Sequence, residues 1–243
     1  MRLKLQKSLI VLFLVSLFVY GCIEEPLIEP VKIPYSVIRV GNFTSNQDVL
    51  KVIIDGVEKF TLNKNTVSDY FDITSGQRRF TLQDANGNTI YNKDITIISY
   101  EEETLVFAGY YSTVDTLNTF AFNSYTDGYV LLADGPDADS STVRVIGCVA
   151  DTPTDTAKAF SVIGYTVAGG DTLFSAPSVE LFDIVLEQIP TGDYKFEFAS
   201  PTDTVRTDVT IGNQKKYFMF ISGSPSSPQV VVDVQNPLPA RSK

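Results

Sequence analysis

The chain contains itself twice. The run Ile73-Thr74-Ser75-Gly76-Gln77-Arg78-Arg79-Phe80-Thr81-Leu82 aligns with Ile189-Pro190-Thr191-Gly192-Asp193-Tyr194-Lys195-Phe196-Glu197-Phe198 at an offset of 116. Asp94-Ile95-Thr96-Ile97 aligns with Asp208-Val209-Thr210-Ile211 at an offset of 114, and Leu105 to Gly109 matches Met219 to Gly223 at that same offset. Nearer the start, Arg39-Val40 matches Arg144-Val145 at 105. A repeat in fixed order constrains the fold harder than composition does, because one structural solution must serve both halves. The growing offset gives the second copy about ten extra residues, expected between Ala150 and Leu186, where Gly169-Gly170-Asp171 marks a longer loop.

Each copy reads as strands. In the first, Ser36 to Val40 opens the pattern, and Val49 to Ile54 leads into Asp55-Gly56. Both residues of that pair tolerate positive φ, so a tight hairpin is expected, with Val57 to Leu62 returning. Phe71 to Ile73, a turn at Ser75-Gly76, and Arg79 to Gln83 follow, the last alternating polar and apolar as a half-buried strand does. Asn86-Gly87 marks a second hairpin before Ile90 to Ile97. Thr104 to Ala108 is a nearly continuous apolar run suited to a sheet interior, and Phe120 to Phe122 closes the set. No long segment carries a capped 3.6-residue period. Short strands at this spacing predict an all-β chain of two tandem sandwiches. The domains are expected at residues 35–133 and 142–237, joined by a Gly, Pro, Asp and Ser linker at 134–141.

These motifs resemble a bacterial domain family of unknown function that occurs in tandem in secreted and cell-surface proteins. Its copies open on a V-R-V strand, pass to a hydrophobic strand ending in Asp-Gly or Asn-Gly, and later carry Gly-x-Tyr-x-hydrophobic. Ile38-Arg39-Val40, Val52-Ile53-Ile54-Asp55-Gly56, Val143-Arg144-Val145 and Gly192-Asp193-Tyr194-Lys195-Phe196 fit that pattern. The resemblance implies an immunoglobulin-like sandwich in each copy and carries no catalytic residues with it.

The N-terminus is a targeting segment. Arg2, Lys4 and Lys7 precede an apolar run from Leu9 to Tyr20 broken only by Ser16. That run is too short to cross a bilayer core comfortably, which takes about 20 residues, and it has the layout of a secretory signal peptide. It ends in Val19-Tyr20-Gly21-Cys22, which resembles a lipobox, so cleavage after residue 21 and lipidation of Cys22 are expected. Several acyl chains anchor stably where one would be marginal. Residues 22–34, with three prolines and three glutamates, read as an extended tether. The expected location is the cell envelope, at the outer membrane; Glu24 and Glu25 after the cysteine resemble a lipoprotein surface-export signal, which would imply outward display.

Charge and composition then exclude several functions. Removing residues 1–21 takes away three basic residues and no acidic ones, leaving 16 Lys and Arg against 29 Asp and Glu, a formal charge of −13. Such a surface repels nucleic acid. There is no histidine, so Ser-His-Asp and Cys-His constellations cannot form and zinc loses its commonest ligand. No glycine-rich phosphate loop or dinucleotide fingerprint is present. With Cys22 lipidated, Cys148 has no intramolecular partner, and its apolar neighbours Val145, Ile146 and Val149 predict a buried, inert thiol.

A few residues remain as candidate sites. Asp134, Asp137 and Asp139 could hold calcium at the linker, which would be the chain's only cofactor. Tyr110 and Tyr111 could form a platform for a ligand. Glu101-Glu102-Glu103 could supply paired carboxylates, but a solvated hairpin tip accounts for them. Arg39 and Arg144, equivalent in the two copies, are expected in ion pairs or packed by their stems. The reading that follows is a non-enzymatic, envelope-anchored lipoprotein acting as a surface spacer and interaction module, adhesion-like in character. The alternative is a carbohydrate- or peptide-binding accessory of an envelope uptake system. Its partners would be the membrane, through the lipid, and an envelope protein or glycan.

Overall fold

The alternation found in the sequence becomes seventeen strands in a computed structural model that describes residues 34–114, 118–129, 139–149, 159–224 and 226–236. Cys22, where lipidation is expected, nearly all of the expected tether, Asp134 and Asp137 lie outside the described residues. The first copy holds β1 (Tyr35–Thr44), β2 (Val49–Ile54), β3 (Val57–Asn63), β4 (Thr66–Val67), β5 (Phe71–Thr74), β6 (Gly76–Gln83), β7 (Thr89–Ile97), β8 (Glu101–Gly109) and β9 (Ala121–Tyr129). The second holds β10 (Ser140–Gly147), β11 (Phe160–Thr166), β12 (Thr172–Val179), β13 (Ile184–Pro190), β14 (Gly192–Ala199), β15 (Thr204–Ile211), β16 (Lys216–Ser224) and β17 (Ser227–Gln235).

The two copies share one topology. In the first sandwich one sheet runs β4-β1-β8-β9, with β5 pairing β1 beside β4, and the facing sheet runs β3-β2-β6-β7. The second repeats this as β13-β10-β16-β17 facing β12-β11-β14-β15. Even the unusual pairing recurs: β1 lies parallel to β8 and β10 parallel to β16, while all other pairs are antiparallel. The strand register preserves the sequence alignment, with Arg39 opposite Thr104 and Arg144 opposite Phe218. Gly109 and Gly223, matched in the sequence, both take positive φ of 99° and 88°.

The expected hairpins form where their turn chemistry puts them. Asp55 and Gly56 have φ of 51° and 79°, and Gly87 has 83°. Three expectations need correction. The acidic triplet is not a hairpin tip: Glu101 to Glu103 open β8, and Glu102 and Glu103 are buried. The last two residues of the expected linker, Ser140 and Ser141, belong to β10. The extra residues of the second copy do not form one loop at Gly169. They are divided between the β10–β11 connection and a longer β11–β12 hairpin, so that Gly164, opposite Phe196, corresponds to Ile54, opposite Phe80.

Each sandwich has its own core. Ile38, Val40, Val52, Phe80, Leu105 and Phe107 are central to the first, and Val143, Val145, Val162, Phe196, Phe198 and Met219 to the second. A third buried cluster belongs to neither. Phe43, Val106, Ala108, Tyr125, Ile146, Phe218 and Phe220 come from the opposite faces of β1, β8, β9, β10 and β16, joined by Cys148 just after β10. This is why every residue from Ser36 to Thr44 is buried. One face of the strand closes its own sandwich and the other packs against the second sandwich. Residues 34–243 accordingly form one compact unit.

Candidate functional site

The joint between the sandwiches gathers most of the buried charge in the described residues. On β1, alternation sends Ile38 and Val40 into the first core and Arg39 and Phe43 into the joint. On β8, Leu105 and Phe107 go to the core, while Glu102, Thr104 and Val106 face the joint. From the second copy, β10 contributes Arg144 and β16 contributes Lys216, Phe218 and Phe220.

Arg39 is wholly buried. Its guanidinium lies between the rings of Phe218, 4.0 Å from the centroid, and Tyr70, 4.9 Å away. It donates to Asp233 of β17, and its Nε donates to Thr104 Oγ1 at 2.7 Å. Thr104 in turn donates to Asp127, which also accepts from Tyr70 Oη at 2.8 Å and Arg144 Nη1 at 2.8 Å. Lys216 Nζ reaches Glu102 Oε2 at 3.0 Å and the carbonyl of Asp127 at 2.9 Å. Three cationic side chains therefore meet three carboxyls, and the cluster is formally neutral. Burial pushes the Asp127 carboxyl up, opposed by the two guanidiniums and the hydroxyls that donate to it. Burial and the neighbouring Asp127 hold the Tyr70 phenol well above its ordinary value, so it remains a donor.

The arrangement is quasi-symmetric, with its sequence deliberately unlike on the two sides. Glu102 and Lys216 occupy the same position of the repeat, offset 114, and face one another. Phe43 stacks on Phe220 at 4.4 Å, while the equivalents of those residues are Cys148 and Val106. Two identical copies packed this way would put like charges in contact at the axis, a buried repulsion that ordinary association cannot offset. The face is thus matched to its neighbour in the same chain. Its hydroxyl–carboxyl contact, Thr104 to Asp127, is wholly buried, and the face packs as a cemented joint.

Other expected residues are spread out. Tyr110 lines a polar cleft of about 240 Å³ with Ser45, Lys64, Ser224, Ser227 and Gln229, between the two sandwiches. Tyr111 does not share it; its ring packs edge-on against Phe120, 6.1 Å away. The two tyrosines therefore do not form one platform. Asp139 is exposed, and its carbonyl accepts from the Thr191 amide at 3.3 Å. Among the described residues no group of three His, Cys, Asp or Glu side chains could hold a metal ion. Cys148 lies in the joint, where burial raises its thiol far above the ordinary range. Arg39 and Arg144 take the ion-paired, packed role expected of them. Glu103, on the core-facing side of β8, accepts from Ser124 Oγ at 2.8 Å and the Ile98 amide at 3.0 Å, and burial raises its carboxyl. In the second copy the phenol of Tyr217 takes that place and accepts from the Gly212 amide at 2.8 Å.

Tyr70, Asp127, Lys216 and Asp233 are not singled out by the sequence, and Glu102 reads there as part of a solvated tip. One signal was present: opposite charges at the equivalent positions 102 and 216.

No family model matches the chain, and no curated protein matches it. Solved structures similar to it include a putative cell adhesion protein of Bacteroides ovatus, 11% identical, covering 84% of this chain and 97% of that one with a TM-score of 0.26. A putative cell adhesion protein of Bacteroides uniformis is 13% identical, covering 84% and 98%, with a TM-score of 0.27. The tip fimbrial protein Mfa3 of Porphyromonas gingivalis is 9% identical, covering 84% and 99%, with a TM-score of 0.28. Scores this low carry no argument, and the fold stands on the strand pairing itself.

Proposed function

We propose that this chain is a lipid-anchored envelope protein whose two sandwiches act as one stiff, non-enzymatic spacer that carries an interaction surface away from the membrane. The observation that supports this is the joint. Tandem domains on a flexible linker would swing independently, whereas here Arg39 and Lys216 are buried, Arg144 is mostly covered, and all three are neutralised between the halves. A domain interface with a desolvated core resists relative motion. The buried ionisable groups are spent on that joint or capped within a sandwich, and the chain has no histidine, which supports a role without catalysis.

The anchor part of the proposal rests on the Gly21-Cys22 junction. Cells expressing the protein are grown with labelled palmitate, and intact cells are then treated with protease. Label on the wild type, its loss in Cys22→Ser, and digestion from outside support the reading. An unlabelled protein, or one retaining residues 1–21, overturns it. A calcium ion at Asp134, Asp137 and Asp139 is a separate proposal, tested by whether calcium raises the melting temperature and Asp137→Asn abolishes the rise.

A further inference from the structure

The first sandwich is open at one edge where the second is closed, and the geometry points to that opening as a binding site for an acidic sugar. A cleft of about 420 Å³ lies between β7 and β9, the free edge strands of the two sheets, within the size range of small-ligand sites. Its aromatic wall is Tyr91, Phe120 and Phe122, all partly exposed and packed about the buried Phe107 at centroid distances of 5.2 to 6.2 Å, Phe120 stacked, Tyr91 edge-on and Phe122 tilted. Lys93 sits at the lip, its Nζ 5.8 Å from the centre of the Tyr91 ring.

The second copy shows that the fold does not require this. Tyr91 lies opposite Leu82, and in the equivalent register Val205 lies opposite Phe198. Lys93 lies opposite Phe80, where the second copy sets Thr207 opposite Phe196. Phe122 lies opposite Phe107, and its counterpart Val230 lies opposite Ile221. With these smaller residues, β15 and β17 pack against one another at the same edge. The same architecture thus closes with Val, Thr and Val and opens with Tyr, Lys and Phe.

The lining specifies the ligand. Ring faces accept the C–H face of a pyranose, and Tyr91 Oη and the amide of Asn118 offer polar partners for hydroxyls. Asn118 uses its Oδ1 to accept from the Phe120 amide at 3.2 Å, which leaves its NH₂ to donate. Lys93 is a cation in a chain of net charge −10, placed where it would meet a carboxylate on the ring. The class is therefore a uronic-acid-containing saccharide. The site belongs to the first sandwich alone and does not depend on the anchor or on the spacer role.

The test uses the full chain in detergent micelles and isothermal titration calorimetry. The probes are a hyaluronan tetrasaccharide, which carries glucuronic acid, and the neutral cellotetraose. The expected result is saturable binding of the acidic probe and binding of the neutral one weaker by about tenfold, the worth of one charge-assisted hydrogen bond. Tyr91→Val removes binding of both, and Lys93→Thr reduces the acidic probe to the neutral level. Both variants borrow the residue of the second copy, and Lys93 is exposed, so its substitution leaves the fold intact. Absence of saturable binding, equal binding of the two probes, or indifference to Lys93→Thr overturns the assignment. Lys93 would then be an inward-turned edge charge that deters strand pairing. Such a failure would leave the spacer proposal standing, since that rests on the joint and the anchor is decided at Cys22.

Discussion

Replacing Lys216 by methionine keeps an unbranched apolar stem of similar length and removes the ammonium. Glu102, with 3% of its side chain exposed, would then be a carboxylate with no counter-ion, and the carbonyl of Asp127 would lose a donor. Breaking a buried pair from one side costs about 3–5 kcal/mol, because the remaining charge stays desolvated. Lys216→Met is therefore expected to lower the unfolding free energy by about that amount. Removing both charges, as Glu102→Leu with Lys216→Met, leaves no orphan and is expected to return stability to within about 1 kcal/mol of wild type. Urea unfolding followed by far-UV circular dichroism on the four proteins of the cycle gives the coupling directly. A single-substitution cost below about 1 kcal/mol, the worth of an exposed pair, would refute the claim that the joint is closed to water.

Other substitutions test separate parts of the account. Burial raises the Glu103 carboxyl above its ordinary 4.5, so in the folded state it holds its proton to higher pH than in the unfolded chain. Its contribution to stability is full below 4.5 and is lost as pH rises through the folded value, so Glu103→Gln should gain on wild type across that window and then plateau; a pH-independent difference in urea midpoints would count against it. A Cβ at Gly147 would lie 1.9 Å from the carbonyl oxygen of Glu180, so Gly147→Ala should cost about 1–3 kcal/mol in the same assay, and no cost would mean that the turn between β12 and β13 packs loosely on Gly147. Cys148 should resist a thiol-specific reagent in the native protein and react after denaturation; fast native labelling would place it outside the joint.

What could be read from the sequence was whatever is local. Asp55-Gly56 and Asn86-Gly87 set their hairpins because the backbone there needs residues that tolerate positive φ, and the repeat carried the topology from one copy to the other. The joint was hidden because it is a property of two faces meeting. Glu101-Glu102-Glu103 looks like a solvated turn until Lys216, more than a hundred residues away, is known to lie against it. Arg39 and Arg144 were recognised as structural from their equivalence, but neither announces Asp233 or Asp127 as its partner. The nearly continuous apolar run from Thr104 to Ala108 was a local trace of a second packed face, since β8, like β1 and β16, is buried on both sides. The aromatic cleft was invisible for a related reason: Tyr91, Phe120 and Phe122 read as ordinary strand residues, and only comparison with Val205 and Val230 shows them as additions.

The fusion of the two sandwiches is most directly tested by residual dipolar couplings from backbone amides in weakly aligned solution. If the halves move as one body, a single alignment tensor fits the amides of β1–β9 and β10–β17 together. Two tensors of different magnitude, one for each half, would mean that the charges at Arg39, Arg144 and Lys216 do not hold them.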